Sequence, residues 1–130
     1  MADVSVLDRA RGMRDLVSAE APESERLRTL SPAIVDEMWA SGLMPAFNPK
    51  AAGGVEPSFQ EMIDTWIEMA WQDGSFGWIG IANLPSTFAA ASYLSDEGFA
   101  EMFGPTTTTS PSAVSTFPTF REQQSTVGTG

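Results

Sequence analysis

Ser58-Phe59-Gln60-Glu61-Met62-Ile63-Asp64-Thr65-Trp66-Ile67-Glu68-Met69-Ala70 is the stretch that decides the fold. Ser58 followed three residues later by Glu61 is a capping box, in which each side chain covers an orphan amide at the helix start. Phe59, Met62, Ile63, Trp66, Ile67 and Ala70 then recur at spacings of three and four, which predicts an amphipathic helix with a core-facing stripe. Gln60, Asp64 and Glu68 fall on the opposite, solvated side.

Working outward, the same signals recur. A break is expected at Gln72-Asp73-Gly74, with Ser75 capping a helix over 76–94. That helix carries Trp78, Ile79, Ile81, Leu84, Phe88 and Tyr93 and is apolar nearly all round, so it is buried on several sides or lies in an interface. Pro85 should kink or interrupt it. Ser95 caps a last helix with Asp96 and Glu97 in its first turn. Upstream, a helix over 4–20 is ended by Pro22, a short piece follows over 23–30, and Ser31-Pro32 starts a third helix with Ile34, Val35, Met38 and Trp39 as its stripe. Gly42 suits the left-handed position after that helix, and the Gly53-Gly54 pair suits a tight turn with positive φ. The Met and Trp residues at helical spacing read as core.

From Gly104 the character changes. Pro105-Thr106-Thr107-Thr108-Thr109-Ser110-Pro111-Ser112 is uncharged and poor in helix formers, and residues 113–117 suit one short strand. Two segments result: an all-α domain over 1–104 and a Thr/Ser/Pro-rich, irregular C-terminal tail over 105–130.

The chain has 130 residues, 42% of them hydrophobic, and a formal charge of −10. That acidity argues against nucleic acid and against a polybasic membrane contact. There is no Cys and no His, which removes disulfides, Cys/His zinc sites, thiol nucleophiles and His-dependent triads. No apolar run is long enough to span a bilayer, and the N-terminus lacks a signal-peptide pattern, so a cytoplasmic location is the expectation. No constellation of Asp, Glu, Lys, Tyr or Ser forms a catalytic set. The residue chemistry alone describes a soluble helical domain with no complete active site.

Three motifs in order are more specific. A helix ends in Ala40-Ser41-Gly42-Leu43-Met44, Pro49-Lys50-Ala51-Ala52-Gly53-Gly54-Val55-Glu56 follows, and Ala70-Trp71-Gln72-Asp73-Gly74-Ser75-Phe76-Gly77-Trp78 opens the apolar helix. Over about residues 5–104 this resembles the N-terminal helical domain of the acyl-CoA dehydrogenase superfamily. The Gly77-Trp78 pair is typical of the branch that includes flavin-dependent hydroxylases.

The resemblance implies a domain that packs on a β-domain and a C-terminal four-helix bundle around FAD. Its small-molecule partner would be an acyl-CoA or an aromatic compound. The parental reaction it implies is α,β-dehydrogenation of an acyl-CoA, with hydroxylation of an aromatic ring by reduced flavin as the alternative. A third reading is a non-catalytic interaction module. Carried over residue by residue, the substrate-lining role falls on Trp78, Ile79 and Asn83. Catalytic and metal-ligating residues are assigned to none, and the flavin-binding residues are unknown, because the family places its flavin contacts and its carboxylate base mostly beyond the region matched. No turnover is expected from these 130 residues alone. The apolar helix is then expected to drive self-association.

After Pro118-Thr119 the family usually continues through Gly-Arg-Ala to Asp-Gly-Gly-Tyr. Here Phe120-Arg121-Glu122-Gln123-Gln124-Ser125 follows instead. A one-base shift of suitable codons turns Arg121–Thr129 into Arg-Ala-Thr-Val-Asp-Gly-Gly-Tyr. The tail is therefore expected to be a frame-shifted or remnant approach to the β-domain, which the nucleotide sequence tests.

Overall fold

The computed structural model describes residues 3–103, and among these every regular element is helical. The sequence-predicted tail over 105–130, its short strand and its shifted frame lie outside the described residues. The elements are α1 (Val6–Gly12), α2 (Arg14–Leu27), α3 (Pro32–Ala40), a 3-10 turn (Lys50–Ala52), α4 (Phe59–Gln72), α5 (Gly74–Trp78), a π turn (Ile79–Asn83), α6 (Leu84–Tyr93) and α7 (Asp96–Phe103). The chain divides into two units at Tyr93 and Leu94. In the second, Ser95 caps α7 through the Gly98 N–H, as its sequence predicts, and the rings of Phe99 and Phe103 pack one turn apart at a tilt of 40°.

In the first unit the expected stop at Pro22 does not occur, and the expected first helix is instead divided at Met13 between α1 and α2. Pro22 sits inside α2. The carbonyl it leaves without a donor belongs to exposed Ser18, where water can serve it. The helix ends five residues later, where Arg28 turns left-handed (φ 57°) and the N–H groups of Arg28 and Thr29 return to the carbonyls of Glu25 and Ser24. Ser31 caps α3 through the Ile34 N–H, with Pro32 at the first helical position. Ile34 and Met38 are buried, and Gly42 takes a φ of 73°.

The loop after α3 enters the core through Leu43, Ala46 and Phe47. Gly53 has the positive φ expected of a tight turn, while Gly54 is needed for a different reason. A Cβ on Gly54 would meet the Asn48 carbonyl oxygen at 1.8 Å, so only hydrogen fits between the loop's two limbs. Val55 N–H donates to the Ala46 carbonyl and Glu56 N–H to that of Asn48, pinning the limbs together.

α4 holds its expected position but not its expected rotation. Thr65 and Met69 are its buried residues, with Met62 and Trp66 packed at the edge of the core, and Phe59, Ile67 and Ala70 are exposed. The cause is polar. Ser58 Oγ caps the Glu61 N–H, but the Glu61 carboxylate does not close the capping box. It accepts instead from the Val6 N–H at 2.8 Å, covering an orphan donor at the start of α1. At the other end of α1, Gln72 Nε2 donates to the Ala10 carbonyl at 2.7 Å. These two contacts turn α4's polar edge toward α1 and leave much of its apolar stripe outside.

α5 then folds back on α4 at glycines. A Cβ on Gly77 would lie 2.4 Å from the Ala70 Cα, and one on Gly80 would lie 2.8 Å from Met69 Sδ. Ala has the better helix propensity by about 1 kcal/mol. At position 77 the clash is with backbone, which cannot swing aside. We therefore expect Gly77→Ala to lower stability by about 2 kcal/mol in urea denaturation, whereas Gly74→Ala, whose Cβ meets nothing within 4 Å, leaves stability unchanged or raises it slightly.

Candidate functional site

The segment from α5 to α6 carries the residues singled out for substrate lining. Asp73, not Ser75, caps it. Its extended backbone lets one carboxylate oxygen accept from the N–H groups of both Ser75 (2.9 Å) and Phe76 (3.0 Å). Phe76 and Gly77 are buried by the first turn.

The long helix expected over 76–94 is interrupted. The Leu84 N–H reaches back five residues to the Ile79 carbonyl, forming the π turn. Pro85 explains its position. A proline has no N–H and its ring collides with the carbonyl four residues back, so a widened turn just before it relieves both problems. The Ala82 carbonyl is taken by Ser86 Oγ at 2.6 Å.

Two of the three singled-out residues are exposed and one is not. Trp78 and Asn83 bracket the π turn on the open surface, while Ile79 turns inward against the core. Ile81 and Phe88 share the exposure. Trp78 is 69% exposed, Ile81 53%, Phe88 41% and Tyr93 89%. The bare apolar flank inferred from the sequence is therefore present. Exposed Trp71 and Trp78 depart from the reading of every Trp as core, which overlooked the glycine crossing that fills the inner side.

Chemically the face is neutral. Residues 74–95 contain no Asp, Glu, Lys or Arg, and no Lys or Arg occurs over 51–103. Asn83 offers one carboxamide. Buried Trp66 Nε1, on the side chain that packs by Gly80, makes no hydrogen bond to the protein. Such a surface fits the ring or chain of an apolar molecule. It does not fit the phosphates of a flavin nucleotide, which need clustered donors or cations, and no flavin contact is assigned to these residues. Among the described residues no group of three His, Cys, Asp or Glu is placed to hold a metal ion, and no helix is long and apolar enough to cross a membrane.

A second feature lies between α1 and α4. An open groove there is lined by Leu7, Arg11, Arg14, Ile67, Glu68 and Trp71, with Asp64 at its side. Arg14 grips Glu68 with two hydrogen bonds, of 2.6 and 2.8 Å, and its guanidinium lies 4.9 Å from the centre of the Trp71 ring. Glu68 is thus not on a solvated face. Its side chain is only 10% exposed and also accepts from Gln72.

Two relatives of known name resemble the chain. Over 96 residues it is 35% identical to an indole-3-acetate monooxygenase of Pseudomonas putida, covering 72% of this chain and 23% of that protein. Over 74 residues it is 32% identical to a pigment production hydroxylase of Rhodococcus erythropolis, covering 57% of this chain and 19% of that protein. The chain spans about a fifth to a quarter of the length of these relatives. No family model matches it, and no solved structure does. The likeness is to proteins named for oxygenating chemistry.

The Arg14 hydrogen bonds hold the Glu68 carboxyl below the usual glutamate range, helped by Gln72 and opposed by burial. A carboxyl lowered in the folded state adds stability above its unfolded pKa, about 4.3, and loses it as pH falls through the lower folded value. The acid limb of a pH–stability curve should therefore become shallower in Glu68→Gln, with the difference from wild type vanishing below the folded pKa.

Proposed function

We propose that this chain is the N-terminal helical part of a reduced-flavin-dependent monooxygenase that hydroxylates an aromatic compound, built on the acyl-CoA dehydrogenase plan. The face formed by Trp78, Ile81 and Asn83 at the π turn is one wall of its substrate cavity. The observation that carries this reading is the uncharged, uncovered apolar face beginning at Trp78 in a chain of charge −10. The two relatives, named as a monooxygenase and a hydroxylase, favour hydroxylation over α,β-dehydrogenation of an acyl-CoA. The ordered motifs from Ala40 to Trp78 support the same plan. In this reading the residues of the chain bind and orient. Trp78 stacks on the flat substrate, Ile81 excludes water, and the Asn83 amide meets a polar substituent. Ile79 supports the wall from behind. The flavin supplies the oxygen chemistry and is held by other parts of the enzyme.

A transplant tests this. Residues 3–103 replace the matching segment of the Pseudomonas monooxygenase, and aromatic hydroxylation is followed with reduced flavin supplied. The chimera is expected to hydroxylate, and Trp78→Ala within it to raise KM for the aromatic about tenfold, the loss of roughly 1.4 kcal/mol of binding, with an unchanged melting temperature. A folded chimera that takes up flavin and oxidises acyl-CoA, or one indifferent to Trp78→Ala, overturns the proposal.

A further inference from the structure

The π turn sets on one side residues that a regular helix would separate. An α-helix advances about 100° per residue, so residues five apart stand about 140° from one another and residues seven apart almost coincide. Ile79 and Leu84 are five apart, yet Ile79 packs on the core and Leu84 is only 4% exposed. Trp78 and Asn83 are also five apart, yet both are exposed. Asn83 follows fully buried Phe76 by seven residues and would share its inward direction in a regular helix. One bond accounts for all three departures. The Leu84 N–H reaches back to the Ile79 carbonyl, and a turn closed in this way stands each fifth residue nearly above the first.

We propose that Pro85 is a positioning residue of the wall: by holding residues 79–84 in this register it stands Asn83 one turn above Trp78, so that a ring stacked on the indole meets the carboxamide with a hydrogen-bonding substituent. The use of that pair by a substrate rests on the hydroxylase reading; the register does not.

Pro85 is the residue that can hold the turn. In a regular helix the Ile81 carbonyl takes its donor from position 85, where proline has none, and the proline ring collides with that carbonyl. The widened turn avoids the collision but gives up a bond. The Leu84 N–H goes to Ile79 and Pro85 has no N–H, so the Gly80 carbonyl loses the donor of either register. A strained turn persists where its surroundings forbid the alternative, and here the proline forbids it. Within residues 79–84 the Asn83 carboxamide is the one polar side chain. A carboxamide both donates and accepts, and with no Asp, Glu, Lys or Arg over 74–95 it suits an uncharged substituent such as a hydroxyl, carbonyl or amide.

A chain without cysteine allows a test that needs no flavin. In the full 130-residue chain carrying Trp78→Cys and Asn83→Cys, the two Cα atoms are about 6 Å apart in the π register, within disulfide reach, and about 9 Å apart in a regular helix, beyond it. Asn83→Cys also leaves no carboxamide for a regular helix to bury, so Pro85 alone is left to hold the turn. At micromolar protein with oxidised glutathione the pair is expected to close within the monomer, and closure is expected to slow about tenfold when Pro85→Ala is added. Pro85→Ser repeats the comparison should Pro85→Ala fold poorly, with the helical circular dichroism spectrum as the check on both. A pair that fails to close, or that closes as fast without the proline, overturns the proposal.

In the chimera with the Pseudomonas monooxygenase, Asn83→Ala should raise KM for indole-3-acetamide about fivefold, the loss of one neutral hydrogen bond, and leave KM for 3-methylindole unchanged. That difference should vanish when Pro85→Ala is present, whereas Trp78→Ala should raise both KM values in either background. An Asn83→Ala effect that is the same with and without the proline overturns the positioning role and leaves the hydroxylase reading standing. A chimera that oxidises acyl-CoA overturns that reading, and the cysteine pair still decides the register.

Discussion

The contact of Gly77 with the backbone of Ala70 is the constraint on which the rest of the helical unit depends. No side chain fits between α4 and α5 at that point, so the two helices meet with backbone almost touching. Asp73 fixes the register. By capping α5 where it does, it places Gly77 about one turn into the helix, and Gly80, three residues further, continues the same approach against Met69 and Trp66. A helix that close to its neighbour has no room on its inner side for large residues. Trp78 lies about 100° round from Gly77 and is directed out of the crossing. Its exposure is therefore a consequence of how the hairpin closes, and it does not mark a poorly packed end.

The other half of the unit is set by hydrogen bonds. α1 is only seven residues long, too short to hold itself together in water. α4 completes it at both ends, through Glu61 at the Val6 N–H and Gln72 at the Ala10 carbonyl. Arg9 adds a tie from α1 to the Gly42 carbonyl at the end of α3. The Glu61 contact satisfies a donor that the short helix cannot satisfy alone, and the Gln72 contact adds a further donor to a carbonyl that already accepts from the Met13 N–H. The cost is borne by α4, which must present a polar edge inward and so shows its i, i+4 ridge to solvent.

How much of this was legible in the sequence follows from the range of each interaction. Ser31, Ser58 and Ser95 are caps decided within three residues, and the chain alone locates them. Gly42 and Gly53 announce their left-handed backbone in the same local way. The rotation of α4 was not legible, because Glu61 has two uses within reach. The local one closes its own capping box, and the distant one, 55 residues away in sequence, wins. Ser75 reads as the cap of α5, but Asp73, two residues earlier in the expected break, takes that place by accepting from two N–H groups at once. Pro85 signalled an interruption but not its form. Beside the π turn Ile79 faces inward while Trp78 and Asn83 stay outside, a separation that no signal within the segment shows.

The two uncovered surfaces differ in a way that bears on what each can meet. The α4 ridge is regular. Large side chains at a constant spacing of four form the geometry that another helix's groove accepts, and a small molecule would span only one or two of them. The face around the π turn is irregular. A widened turn breaks the periodic ridge, a glycine and an asparagine interrupt the large side chains, and no charge lies within the segment. An oncoming helix finds no continuous ridge there to interlock with. A flat apolar molecule finds a tryptophan to stack on, an isoleucine beside it and one carboxamide to orient it. The same composition, mostly apolar and helical, thus yields two surfaces of different use because Pro85 disrupts one helix and nothing disrupts the other.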